Sequence, residues 1–254
     1  VKAENAIVVL AHSDNQIYAN VVGAAVGGTA GVGGSVSVIV LQDTTTASVG
    51  GNLTANAITV KAESNELLEL SATAFQAGGT AAVGASVGTI VFKGKTFAIV
   101  RPGTTLTAAN GNIIVYADSK EKVSMTVLGG GAGGTAAVNG SFAVLVMNVT
   151  TQAKVEDGTS GNGSSLSALK GSVTVKATDT TDLNLNTGNV VGGGAAAVGA
   201  AIEVAVYRNT VTAMIGNYNT VTAKSILVQA IADRDIQAAA VMASASGTAS
   251  INGS

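Results

Sequence analysis

The chain contains no cysteine, one proline and one histidine, and aromatic residues make up only 3% of its 254 residues. Without cysteine there are no disulfide bonds, no cysteine zinc sites and no thiol catalysis. The single histidine, His12, leaves a catalytic triad or a histidine metal site without its second member. The core must therefore be packed from alanine, valine, isoleucine and leucine, without covalent staples.

Charge is also scarce. Charged residues make up 11% of the chain, and 13 basic against 15 acidic residues give a net charge of −2. No segment collects basic residues into a patch that could neutralise a run of phosphates, so nucleic-acid binding is not expected. No apolar run reaches the roughly 18 residues of a membrane-spanning helix, so direct membrane insertion is not expected either.

What the chain has in abundance is repetition. The glycine-rich string Gly28–Ser35 returns at Gly79–Ser86, Gly134–Ser141 and Gly194–Ala201, and a trace of it lies at Gly247–Ser254. Self-similarity at a long period is typical of stacked architectures, in which each unit buries its apolar surface against its neighbours.

A second marker, an alanine at the end of a short apolar strand, recurs at Ala11, Ala62, Ala117, Ala177 and Ala230, at intervals of 51, 55, 60 and 53 residues. Each marker alanine precedes its glycine motif by 17 residues, so all insertions lie elsewhere in the unit. We therefore expect one elongated domain over residues 1–254, belonging to a longer protein and built from about 4.5 units. The units run over 11–61, 62–116, 117–176 and 177–229, with a partial unit at 230–254.

Apolar and polar residues alternate in segments such as Leu68–Ala72 and Val83–Val91, and no segment keeps a helical period. The sequence predicts an all-β parallel β-solenoid, also called a β-helix. Whether one unit forms one wide coil or two to three narrow coils stays open. The valine-rich face after each glycine motif is predicted to point inward, with Val83 and Val138 buried. The small residues opposite indicate either close approach of a second layer or a flat surface.

No catalytic, cofactor or metal residues are predicted. His12 occupies the same repeat position as Glu63, Asp118 and Thr178, which is typical of a column of polar surface residues. A polysaccharide-cleaving enzyme on this scaffold would need recurring carboxylates in one groove, for which Glu63, Asp118 and Asp179 are the candidates. We interpret these three carboxylates as solvated residues at strand ends rather than as the lining of such a groove.

Two further alternatives are weak. The loop at Glu156 to Gly158 lacks the repeated Gly-Gly-x-Gly-x-Asp ligands of calcium-binding β-rolls. A file formed by Thr54, Thr107, Ser167 and Thr222 is similar to the threonine files of ice-binding solenoids, but it is single rather than paired.

Insertions concentrate after the second long segment of each unit. The longest loop runs from Glu156 to Ser165, and shorter ones run from Arg101 to Thr105 and around Tyr218. Exposed loops on a rigid scaffold commonly carry contacts with partners. The candidate contact residues are Glu156, Asp157, Asn162, Arg101 and Tyr218.

Three features resemble the repeats of large bacterial filamentous adhesins of the leukotoxin and filamentous-haemagglutinin type: the motif Gly-Gly-x-Ala-Ala-Val-Gly-Ala-Ser-Val at Gly78–Val87, a segment related to Asn-x-Thr-x-Ala-x-Ile, and the following Val-x-Val-x-Ala strand. The nearest match to the second is Asn209–Ile215, with Val211 at the threonine position. Lys93-Gly94-Lys95 departs from the asparagine-rich step of that pattern. The resemblance covers nearly the whole chain and implies a secreted, surface-associated β-helical shaft delivered by a type V-like route.

The resulting expectation is a non-enzymatic structural shaft or adhesive repeat module at the bacterial cell surface, outside the cell. Its partner would be a receptor or glycan on host or bacterial cells. The alternatives are a subunit of an extracellular filament or sheath and, less favoured, an enzyme acting on polysaccharide. Unpaired strand edges at the two ends of the stack favour end-to-end self-association.

Overall fold

The structure is a computed structural model that describes all 254 residues. It contains twelve β-strands and no helix. The strands are β1 (Ala6–Gly27), β2 (Ala30–Val49), β3 (Asn52–Ala55), β4 (Ala57–Gly78), β5 (Ala81–Val100), β6 (Thr105–Ala108), β7 (Ile113–Gly133), β8 (Ala136–Val155), β9 (Ser165–Gly193), β10 (Ala196–Ile215), β11 (Thr220–Ser246) and β12 (Ala249–Gly253).

Each repeat unit forms one wide coil, which settles the question that the sequence left open. A long strand such as β4 turns sharply into a second long strand, β5, and the short strand β6 then leads into the next coil. A strand of 20 residues is about 65 Å long at about 3.3 Å per residue, whereas a coil advances the stack by only about 4.8 Å. The coil is therefore broad and flat.

All strand pairs are parallel, as the parallel β-solenoid prediction requires. The first long strands and the short strands make one sheet in the order β1-β4-β7-β9-β6-β3, with β11 on β9, and the second long strands make another in the order β12-β10-β8-β5-β2. The five marker alanines pair in register from coil to coil. The two repeat markers therefore predicted the register correctly.

The glycine motif forms the sharp turn that joins the two sheets. A Cβ atom added at Gly27 would overlap the carbonyl oxygen of Ala30, and the equivalent Gly78, Gly133 and Gly193 are equally crowded. Only glycine allows the chain to reverse so tightly here. The motif is therefore a packing element.

The interior changes character along the coil. At the sharp turn the two sheets lie close over small side chains, with an apolar cluster of Ala82, Ala137, Val191 and Ala197. The middle is filled by a cluster of larger side chains that includes Phe92, Leu68 and Met125. The broad end, where the short strand closes the coil, holds a third cluster of alanine, valine, leucine and isoleucine.

The prediction of an inward valine face was wrong. Val83 and Val138 are both 44% exposed, whereas their neighbours Ala82 and Ala137 are buried. In β2, β5 and β8 the inward positions at this end of the coil are mainly serine, glycine and alanine, because the two sheets are too close here to hold two facing valine columns. Of the two interpretations of the small residues, close approach of a second layer is thus confirmed, and the valines lie on its outer side.

Two adjacent substitutions test this orientation. We expect Ala82→Asp to lower the free energy of unfolding by several kcal/mol, because it buries an unpaired charge between the sheets. We expect Val83→Asp to cost the single chain about 1 kcal/mol or less, because the carboxylate lies outside the space between the two sheets. Urea unfolding of both variants measures the difference, and equal losses would contradict the assigned faces.

Candidate functional site

The three insertion loops lie on one corner of the solenoid. They connect β5 to β6, β8 to β9 and β10 to β11, at residues 101–104, 156–164 and 216–219, and we call them the corner loops. Because the strands on both sides are in register, loops from successive coils are stacked over one another. The five candidate contact residues, although distant in sequence, therefore share one region of the surface.

Asp157 ties two of these loops together. Its Oδ1 accepts hydrogen bonds from the backbone N–H of Asn217 at 2.6 Å and from the Asn217 side chain at 3.1 Å. The N–H of Gly158 in turn donates to the carbonyl oxygen of Asn217 at 2.9 Å. Asp157 therefore has a structural role, and its carboxylate is already engaged within the chain.

Glu156 is also engaged, because its Oε1 lies 3.1 Å from Lys154 Nζ. Arg101 keeps an exposed side chain, whose Nη2 donates to Ser48 Oγ at 3.2 Å. Asn162 is exposed and lies against Gly103, where an added Cβ would overlap Asn162 Oδ1. Of the candidate residues considered so far, Arg101, Asn162 and Asp157 are exposed, and of these Asp157 has a carboxylate already bound to Asn217.

Tyr218 is the most unusual residue of the corner. The turn contains one left-handed residue in each coil, and this is Gly51, Gly103 and Gly161 with φ of +82°, +70° and +81° in the first three. In the fourth coil it is Tyr218, with φ of +60° and 68% exposure. A side chain in this conformation costs about 1–2 kcal/mol. The tyrosine therefore presents an exposed ring at a position where glycine would be more stable.

A second group of polar residues lies inside the coil, between the middle cluster and the broad end. In the first two coils, Ser64 Oγ lies 2.9 Å from Glu66 Oε1 and 3.3 Å from Asp43 Oδ2. Asn15 Nδ2 donates to Glu66 Oε1 at 3.1 Å, and Thr45 Oγ1 donates to Asp43 Oδ2 at 3.0 Å. We call this interior column and its continuation the polar seam.

The polar seam continues in the third and fourth coils. Thr181 Oγ1 lies 3.1 Å from Asp179 Oδ1 and 3.3 Å from Glu121 Oε2. Asn209 Nδ2 donates to Tyr207 Oη at 2.8 Å and also contacts Asp179 Oδ1. Glu121 and Asp179 are almost completely buried. Two carboxyl groups thus share one hydrogen-bonded network away from solvent.

Burial changes the acidity of these groups. Desolvation raises the pKa of Glu66 to about 7 against the hydrogen bonds from Asn15 and Ser64. Desolvation, reinforced by the nearby charge of Asp179, raises the pKa of Glu121 to about 8. Desolvation also raises the pKa of Asp179, although the Arg234 charge on β11 opposes this. The seam therefore binds protons near neutral pH.

The carboxylates proposed for an enzymatic groove do not share one face. Glu63 and Asp118 lie on the outer face of the first sheet, in register with His12, and are paired with Lys61 and Lys120 respectively. Asp179 points into the interior. His12 is exposed, with Nδ1 3.8 Å from Glu63 Oε2, which confirms the column of polar surface residues.

The threonine file is also formed as expected. Thr54, Thr107, Ser167 and Thr222 pair in register along the short strands. No arrangement of three or more histidine or acidic side chains suits a metal ion. None of the elements is a helix of the length and apolar character that crossing a membrane requires.

Comparison with known proteins gives no relationship that could assign a role to these residues. No family model, no curated protein and no solved structure matches the chain.

The strain at Tyr218 can be measured. We expect Tyr218→Gly to raise the free energy of unfolding by about 0.5–1 kcal/mol, since the relieved strain exceeds the entropy that glycine adds to the unfolded chain. Tyr18→Gly is the control, because Tyr18 is similarly exposed but extended within β1. This control should lose stability. Chemical denaturation compares the two, and a loss in Tyr218→Gly would disprove the strain.

The polar seam predicts that the protein is more stable in mild acid. The folded-state pKa values of Glu66 and Glu121 lie above the unfolded value of 4.5, so folding takes up protons. Their favourable contribution is complete below about pH 4.5 and is lost as pH rises through 7 to 8. At about 1.4 kcal/mol per pKa unit, the loss amounts to several kcal/mol.

Urea unfolding at pH 5 and pH 9 measures this effect. Glu121→Gln, which imitates the protonated acid, should flatten the pH dependence and raise stability at pH 9. Glu69→Gln, on the outer face of β4, should leave the dependence unchanged. A protein of equal or greater stability at pH 9 would contradict the assignment.

Proposed function

We propose that this segment is a non-enzymatic shaft of a secreted bacterial surface adhesin and that its corner loops contact a receptor or glycan on another cell. The observation that carries the proposal is the stacking of the insertion loops on one corner of an otherwise regular solenoid. The resemblance of the repeats to filamentous adhesins supplies the extracellular setting.

The regular part suits a mechanical role. Every long strand pairs with its neighbours over nearly its whole length, and the register shifts only between Ala223 and Ser225. Pulling one coil away from the next would break the hydrogen bonds of two long strands and expose the clusters between them. Such a stack would hold any attached binding element at a fixed distance from the cell surface.

The corner suits a contact role. Variation in length is confined to turns such as the corner loops, while the strands keep their register. The exposed side chains of Arg101, Asn162 and Tyr218 add a cation, an amide and an aromatic ring to a surface that is otherwise rich in threonine and valine. Aromatic and arginine side chains are the residue types that dominate binding energy in interfaces.

An extracellular filament or sheath remains the second candidate function. The strands β1 and β2 at one end of the stack, and β11 at the other, have one unpaired edge each over most of their length. Open strand edges favour head-to-tail addition of further copies. A polysaccharide-cleaving activity is less favoured, since Glu63, Asp118 and Asp179 do not line one groove.

The test is binding of the purified segment to bacterial and host cells, measured by flow cytometry. One variant replaces residues 156–164 by Gly-Gly, the length of the same turn in the first coil. A second combines Arg101→Ala, Asn162→Ala and Tyr218→Gly. We expect both to lose at least tenfold in apparent affinity while keeping the circular dichroism of a β-protein.

The control carries His12→Ala and Tyr18→Ala on the outer face of the first sheet and should bind like the unaltered segment. Absence of binding by the folded, unaltered segment would reduce the role to a spacer. Binding that survives both corner variants would place the contact elsewhere. Release of reducing sugar from surface polysaccharide would overturn the non-enzymatic assignment, and ordered fibres from isolated segments would favour the filament.

A further inference from the structure

The outer face of the second sheet is an exposed apolar surface at the sharp-turn half of the coil. Its outward positions lie on the four strands β2, β5, β8 and β10, at every second residue from 32 to 40, 83 to 91, 138 to 146 and 198 to 206. We call this surface the valine face. Val32, Val40 and Val36 are its most exposed members, at 70%, 64% and 63%.

The valine face carries no charge. Apart from Thr89, every outward position is valine, isoleucine, phenylalanine, alanine or glycine. In the same half of the coil, the outer face of the first sheet is mixed: it carries polar residues such as Glu69 and Thr126 beside the exposed ring of Phe75. The valine face therefore differs from the opposite face in being an almost uninterrupted apolar surface.

The shape of the valine face is self-complementary. The in-register column of Gly34, Ala85, Gly140 and Ala200 separates two columns of larger side chains and leaves a shallow groove between two ridges. The ring of Phe142 leans over Gly140 in this groove. When two valine faces meet, a ridge of each copy can lie in the groove of the other.

The area is sufficient for a stable pair. Four strands at about 4.8 Å and nine residues at about 3.3 Å give a flat apolar region of roughly 570 Å². Beyond it, the same strands continue to Val49 and its partners with mainly polar outward side chains, including Gln42, Thr44 and Thr46. Two apolar regions in contact bury roughly 1,100 Å² in total, which exceeds the about 1,000 Å² expected of a biological interface.

Charge also favours a second copy in antiparallel orientation. Lys93, Lys95 and Arg208 lie at the end of the valine face farthest from the sharp turn. A two-fold axis through the face places these cations of one copy over the uncharged sharp-turn end of the other. No like charges then meet.

From these observations we propose that the valine face is an interface, and that two copies of this chain pair through it, sheet against sheet, about 10 Å apart. The interaction is lateral and closed, and so differs from end-to-end addition at strand edges. It goes beyond the shaft proposal, since a shaft could be either single or paired.

Analytical ultracentrifugation over a concentration series tests the proposal. We expect the unaltered segment to form a dimer at micromolar concentration. Val146→Lys, on the part of the valine face formed by β8, should raise the dissociation constant at least tenfold. Thr126→Lys, on the outer face of β7 in the same coil, is the matched control and should leave it unchanged.

The absence of cysteine provides an independent measurement. A single cysteine introduced by Val146→Cys should be alkylated more slowly as protein concentration rises, whereas Thr126→Cys should react at a constant rate. A monomer at 0.1 mM or above, an open-ended polymer insensitive to Val146→Lys, or unprotected alkylation at residue 146 would each overturn the proposal.

Discussion

The parallel hydrogen-bond ladder between coils is the constraint on which the rest of the structure depends. Of 182 backbone hydrogen bonds, 156 lie within the strands, so most of the backbone hydrogen bonding comes from stacking. A residue in one coil is thereby fixed above its counterpart in the next. Side chains form columns, insertions are confined to turns, and the backbone of each turn must follow that of its neighbour.

The sequence predicted the ladder well and the inside of the coil poorly. The spacing from marker alanine to glycine motif predicted the register, because inserting a residue within a stacked strand would break every later pair. It could not predict which face of β5 is inward, because valine favours strands on either side of a sheet. The distance between the two sheets decides that, and it is set by the glycine turns and small residues such as Ala82 and Ala137.

The buried acids were missed for a related reason. Glu121 lies between Lys120 and Lys122, which makes its segment look solvent-exposed. The available signal was its even spacing from the buried Val123 and Met125. Because inward and outward residues alternate along a strand, this spacing indicates that the Glu121 side chain lies inside the coil. The corner loops were located correctly from their variable length. The structural role of Asp157, however, depends on its hydrogen bond with Asn217 in another coil, which no local pattern reveals.

The stack itself requires none of the three costly features of this protein. Protonatable acids inside the coil, an exposed valine face and a tyrosine in a left-handed turn all reduce the stability of an isolated solenoid in neutral solution. Other coils show that each position accepts a less costly residue: Asn15 aligns with Glu66, Thr89 with Val38, and Gly103 with Tyr218. The ladder accommodates both residues at each of these positions, so the coil does not need the costly residue in order to form. We therefore attribute Tyr218 and the valine face to the proposed contacts of the surface, and the buried acids to the pH at which the coil is most stable.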